Sequence, residues 1–201
     1  MPDNPSPLDV LWDRLAAEAP GAVCRRAAVE FDPAGQAWLV PLCGQPMRVL
    51  AQARRVEAPG GPAGHEAALV CVQYLLTARD EPPGGDLVSP RTLPDGDFFF
   101  RGPHDMPAAG LEKAFGGSPA AFRRAAEAVG GRPLAAGDAA YEFPALPRVC
   151  VAVVLWAADE EFPARAQILL DSAAHRHLPL DALWLLCHVL GRRLIAAAQP
   201  R

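Results

Sequence analysis

Residues 146–174 read LPRVCVAVVLWAADEEFPARAQILLDSAA, and this stretch decides the fold. The run from Val149 to Trp156 is nearly all apolar and rich in valine, and Pro147 precedes it. That is the pattern of a strand buried on both faces. After the acidic turn Asp159-Glu160-Glu161-Phe162-Pro163, residues Gln167 to Asp171 resume as a second strand. The two are predicted to form an antiparallel hairpin with Trp156 opposite Ala166 and Asp171 opposite Val151. At about 3.4 Å per residue, the acidic tip and Asp171 then lie on the order of 20 Å apart.

Upstream, Leu8, Leu11, Trp12 and Leu15 recur at helical spacing over Pro7 to Ala19, with Pro20-Gly21 as the expected stop. Ala27 to Phe31, Ala37 to Leu42 and Met47 to Ala51 are short strand-forming runs separated by turn residues, and they predict a small antiparallel meander. Ala58 to Gly64 is expected to be loop, and His65 to Arg79 a largely buried helix. Asp97 to Phe100 is predicted as a strand with Phe98 and Phe100 on one face and Phe99 on the other. Pro107 to Phe115 and Ser118 to Val129 read as short helices, the second capped by Ser118 with Pro119 in its first turn. Leu178 to Ala198 is a long helix with the stripe Leu183, Cys187, Leu190 and Leu194. Strands and helices are segregated, without a βαβ rhythm. The expectation is one α+β domain over 1–201, an antiparallel β-sheet with helices packed on it, closed by the long C-terminal helix. Residues 1–7 are expected to be disordered.

With 201 residues, 51% of them hydrophobic, the chain can fill a substantial core. Its net charge of -4 gives no global attraction to nucleic acid or to an anionic membrane, so neither is an expected partner. Lys113 is the single lysine among 19 basic residues, which reads as coding bias. Four arginine pairs, Arg192-Arg193 among them, read as solvated, although guanidinium suits phosphate or carboxylate capture. Five cysteines without a CxxC motif are expected to be free buried thiols. The first ten residues carry neither a basic nor an apolar leader segment, and the expected location is cytoplasmic.

Several segments together resemble a known family: Asp86-Leu87-Val88-Ser89 with Arg91-Thr92-Leu93-Pro94, Phe98-Phe99-Phe100, Phe115-Gly116, Leu146-Pro147-Arg148 with Leu155-Trp156, and Leu169-Leu170-Asp171. The family is the uncharacterised prokaryotic domain of unknown function 3786, some of whose members are fused to a four-cysteine iron-sulfur module. The resemblance implies a setting in corrinoid, iron-sulfur or one-carbon metabolism. It implies no catalytic residues, and the cysteine module has no counterpart here.

The residues themselves offer three candidate sites. Phe98, Phe100 and the loop residue His104, joined by the turn carboxylates Asp159, Glu160 and Glu161, are expected to form a ligand or partner surface. A histidine beside an aromatic wall suits a corrinoid or tetrapyrrole axial ligand. Asp171, His175 and His177 have ligand types suited to zinc or iron, the basis of an alternative reading as a metal-dependent enzyme. Gly60 to Gly64 before a helix loosely resembles a phosphate cradle, weakened because Pro59 and Pro62 lack backbone donors. GxSxG, P-loop and Rossmann patterns are absent. A third reading is a structural subunit that pairs through a sheet edge.

Overall fold

Two antiparallel five-stranded sheets and eight helices make up the computed structural model, which describes residues 7–199. The expected disorder of residues 1–7 therefore falls outside the described residues, except at Pro7, where the first helix begins. Helices α1 (Pro7–Ala16) and α2 (Pro20–Ala27) lead into the first sheet, whose strands are β1 (Glu30–Asp32), β2 (Ala37–Leu42), β3 (Gln45–Leu50), β4 (Arg55–Ala58) and β5 (Gly61–Pro62) in sequential order. Helix α3 (His65–Thr77) follows, then β6 (Leu87–Val88), α4 (Gly96–Phe99), α5 (Ala108–Phe115) and α6 (Pro119–Ala128). The chain finishes with β7 (Arg132–Leu134), β8 (Ala139–Leu146), β9 (Val149–Trp156), β10 (Arg165–Asp171), α7 (Ala174–His177) and α8 (Leu180–Ala197). The second sheet has the order β6-β10-β9-β8-β7, which places the 146–174 hairpin at its centre.

One contiguous apolar cluster runs through both sheets. Val151, Val153 and Leu155 of β9 point into it with Tyr141 and Phe143 of β8 and Ile168 and Leu170 of β10. The stripe Leu183, Cys187, Leu190 and Leu194 of α8 is buried as expected, and Val70, Cys71, Tyr74 and Leu75 of α3 complete the interior. The sheets meet where the Cys43 amide donates to Ala145 O at 2.8 Å.

The hairpin register differs from the predicted one by a single residue: Trp156 pairs with Arg165, and Leu170 with Val151. The hydrophobic pattern explains why. In the observed register Ala166, Ile168 and Leu170 lie opposite Leu155, Val153 and Val151 on the core face. A one-residue slip would turn Arg165 and Gln167 inward instead.

Three other segments depart from expectation. Pro20-Gly21 starts a helix rather than merely ending one, because proline is well suited to the first helical position. Within Ala58 to Gly64, Ala58 pairs with Gly61, and Pro62 is tolerated because β5 is a sheet edge that needs no further donor. Residues 96–99 form a helical turn, not a strand, so Phe98 and Phe100 share no strand face. The prediction from this packing is that Val153→Asp, at a side chain 1% exposed, lowers the unfolding free energy by on the order of 4 kcal/mol, read from the urea midpoint.

Candidate functional site

Asp171 ends β10 with its side chain buried, and its carboxylate accepts from three backbone amides, those of Gly84 and Gly85 at 2.8 Å and Ala173 at 2.9 Å. His177 is fully buried, with Nδ1 accepting from the Arg79 amide at 3.4 Å, while its carbonyl accepts from Thr77 Oγ1. Next to them, Arg148 donates to Arg26 O, Glu81 O, Arg25 O and Asp80 Oδ1. These groups pin the loop that follows α3 against the end of the second sheet. His175 lies on the same short helix, α7, with a buried Nδ1 that has no partner. Among the described residues no group of three His, Cys, Asp or Glu side chains is placed to hold a metal ion.

Phe98 and His104 lie on a locked surface turn. Asp95 takes a left-handed conformation with φ 60°, and a side chain at Gly96 would stand 2.2 Å from Pro90 O, so only glycine lets α4 close against the Pro90–Thr92 turn. Asp97 pairs with both Arg91 and Arg101 across it. Phe99 packs edge-on against Phe100 at 5.0 Å and stacks on His104 at 4.4 Å; His104 meets the edge of Trp184 at 5.6 Å, and Trp184 meets His188 at 4.5 Å. The Trp184 indole donates to Asp105 O at 3.0 Å. Phe98 is left 90% exposed, whereas Phe100 is buried and lines a cleft of about 520 Å³ with Pro90, Met106, Ala109 and Ile168.

The acidic turn is elsewhere. Asp159 accepts from the Glu161 and Phe162 amides, which holds its carboxyl below the usual carboxylate range and makes it a turn-forming residue. The Ala158 amide donates to Gly116 O, at the far end of α5 from His104. Eight helical residues span about 12 Å, so the aromatic turn and Asp159-Glu160-Glu161 are not brought together.

A second cleft, of about 570 Å³, opens between the first turn of α3 and the last turns of α8, lined by Met47, Gly64, His65, Glu66, Arg192 and Arg193, among others. Arg192 pairs with Glu66. Arg193 makes no hydrogen bond or ion pair among the described residues, and its Nη1 is buried without a partner.

The model of the family described as domain of unknown function (DUF3786) matches residues 19–193. The chain belongs to that family. No curated protein and no solved structure matches it. The match spans both sheets of this DUF3786 domain, including Arg148, Asp171 and the Phe98 turn.

The DUF3786 chain has structural and cleft residues that sequence reasoning passed over. Arg148 stood inside Leu-Pro-Arg, but only the folded chain brings four oxygen acceptors to its guanidinium. Arg192-Arg193 was visible as a pair, yet the fold gives its members different roles: both line the cleft, but Arg192 pairs with Glu66 while Arg193 has no ion-pair partner among the described residues. Burial lowers the pKa of both His177 and His188 below the ordinary 6.5. The unfolded chain therefore binds protons more readily than the folded one just below that value, and stability present above pH 6.5 is lost as the pH falls. Acid titration of the melting temperature should show this loss, and the double variant His177→Gln/His188→Gln should flatten it.

Proposed function

We propose that this domain is a cytoplasmic ligand-binding accessory domain that takes a flat, largely apolar molecule in the cleft lined by Phe100, beside the exposed Phe98 and the His104 stack. The observation that carries this reading is Phe98 itself, 90% exposed on a turn packed against Pro90 at Gly96 and bridged by the Asp97 ion pairs. Scattered exposed apolar side chains are ordinary, but this one directly precedes Phe99, which stacks on His104, and Phe100, which lines the cleft. The cleft volume of about 520 Å³ falls within the usual range of small-molecule sites, about 300 to 1,000 Å³.

Phe100, Met106 and Ile168 supply apolar walls, while Ser89 and Gln167 supply polar edges. A corrinoid or tetrapyrrole ring is a ligand class suited to stacking on these groups, and His104 is the candidate axial ligand. The setting in corrinoid, iron-sulfur or one-carbon metabolism is part of the same proposal. No observation favours a metal-dependent enzyme using Asp171, His175 and His177 over this reading.

A second reading has one observation in its favour. Strand β6 pairs only with Leu170 and Asp171, so among the described residues the edge of β10 from Arg165 to Leu169 has no strand beside it. A partner peptide added there would lie in the same cleft, although the Ala166 amide is already taken by Glu112 Oε1. Among the described residues no helix is long and apolar enough to cross a membrane.

Titration with haem and with aquacobalamin, followed by absorbance and by quenching of Trp184 fluorescence, tests the first reading. Saturable binding is expected, weakened about tenfold by Phe98→Ala and by His104→Ala, roughly 1.4 kcal/mol each. Because Phe98 is exposed, its variant should melt with the wild type. Dissociation constants equal in all three proteins, or no saturable binding, would reject the assignment.

A further inference from the structure

We infer that the cleft between α3 and α8 binds a small amphipathic anion, an apolar body bearing a phosphate group, with Arg193 as its principal anchor. This site is separate from the Phe98 turn and does not depend on what binds there. The argument starts from charge. Four titratable side chains line the cleft: His65, Glu66, Arg192 and Arg193. Glu66 and Arg192 neutralise one another as an ion pair. That leaves the Arg193 guanidinium uncompensated, with one nitrogen buried and no acceptor for it among the described residues.

A buried donor without an acceptor costs about 1–3 kcal/mol, more when it is charged, and such groups ordinarily find a partner. No carboxylate among the described residues supplies one. The nearby Cys43 thiol does not serve either, because burial pushes its pKa up to about 12 and it stays neutral. Desolvation also lowers the pKa of Arg193, a cost that a bound anion would offset.

The opposite wall presents donors of the right kind. Helix α3 has 13 residues and begins at Gly64 without a side-chain cap, so its first-turn amides lack intrahelical acceptors, and Gly64, His65, Glu66 and Ala67 line the same cleft. The partial positive charge of that helix end adds to Arg193. Pro59 and Pro62 do not remove these donors, since both precede the helix and Pro62 is held in β5. The loose phosphate-cradle pattern of the sequence thus acquires the Arg193 guanidinium from α8, a segment distant along the chain.

The rest of the lining defines the ligand's body. Leu42, Met47, Ala67, Val189 and Ala196 are apolar. A neighbouring cleft of about 490 Å³ shares Gln45, Arg193 and Ala196 with the first, so the guanidinium stands where the two join. A ligand anchored at Arg193 can extend an apolar chain along either side.

Isothermal titration of the full chain at constant ionic strength tests this, with hexyl phosphate, hexanol and inorganic phosphate as probes. Hexyl phosphate should bind saturably below about 10 mM, roughly tenfold tighter than inorganic phosphate, and hexanol should give no saturable heat. Arg193→Met should weaken hexyl phosphate at least tenfold, while Arg124→Met, at an exposed position of α6, should leave it unchanged. Should Arg193→Met fail to fold, Ala196→Glu provides the second test. It adds a carboxylate to the cleft at an exposed position and should abolish binding. Absence of binding, hexanol binding as well as hexyl phosphate, or equal affinity in the variants and the wild type would each overturn the inference.

Discussion

The guanidinium of Arg148 ties the two halves of this protein together. It sits at the tight turn between β8 and β9, and its side chain is 15% exposed. From there it reaches the C-terminal carbonyls of α2 and the loop after α3, while its own backbone amide donates to Tyr74 Oη at 3.1 Å. Tyr74 in turn donates to Ala27 O at 2.7 Å. Arg26 closes the circuit by donating to Leu75 O near the end of α3. Helix-terminal carbonyls lack intrahelical partners, and here two arginines from distant parts of the chain supply the donors. Burial, outweighing the opposing pull of Arg148, leaves the Tyr74 hydroxyl a protonated structural donor with its pKa well above the ordinary 10.

Because this lock sits at one end of the second sheet, the segment after α3 is held from several sides. Arg148 binds its start and Asp171 binds Gly84 and Gly85, while Arg176 pairs with Glu81. The polar groups that look most like a catalytic cluster are therefore committed to closing a proline-rich loop over the core. The two proposed ligand surfaces lie elsewhere. One is the α4 turn beside α5, β10 and α8; the other is the groove between the first sheet, α3 and α8. Helix α8 contributes to both, through Trp184 near its start and Arg193 near its end.

Much of the local structure was legible in the chain. The apolar run of β9, the stripe of α8, the Ser118-Pro119 start of α6 and the meander from Ala37 to Leu50 follow from period, capping and turn chemistry, which act over a few residues. Helix α2 was hidden because Pro20-Gly21 serves as both an end and a beginning. The α4 turn was hidden because three successive phenylalanines carry strong strand propensity. There the close approach of Gly96 to Pro90 O, a contact between segments, overrides that propensity.

For the candidate sites the division is sharper. Composition and motif alone placed His104 in a loop after an aromatic run read as a strand, and found no nucleophile elbow or phosphate loop. They also grouped Asp171, His175 and His177 by proximity in sequence. Tertiary structure decided which side chains are free. It gave the Asp171 carboxylate three backbone amide donors, separated the acidic turn from His104 by the length of α5, and set Arg193 opposite the start of α3 without a counter-ion among the described residues. Sequence periodicity reports which face of an element is apolar, because that depends on neighbours three or four residues away. Whether a polar side chain keeps an unused donor depends on which distant segments fold against it, and that is a property of the assembled chain.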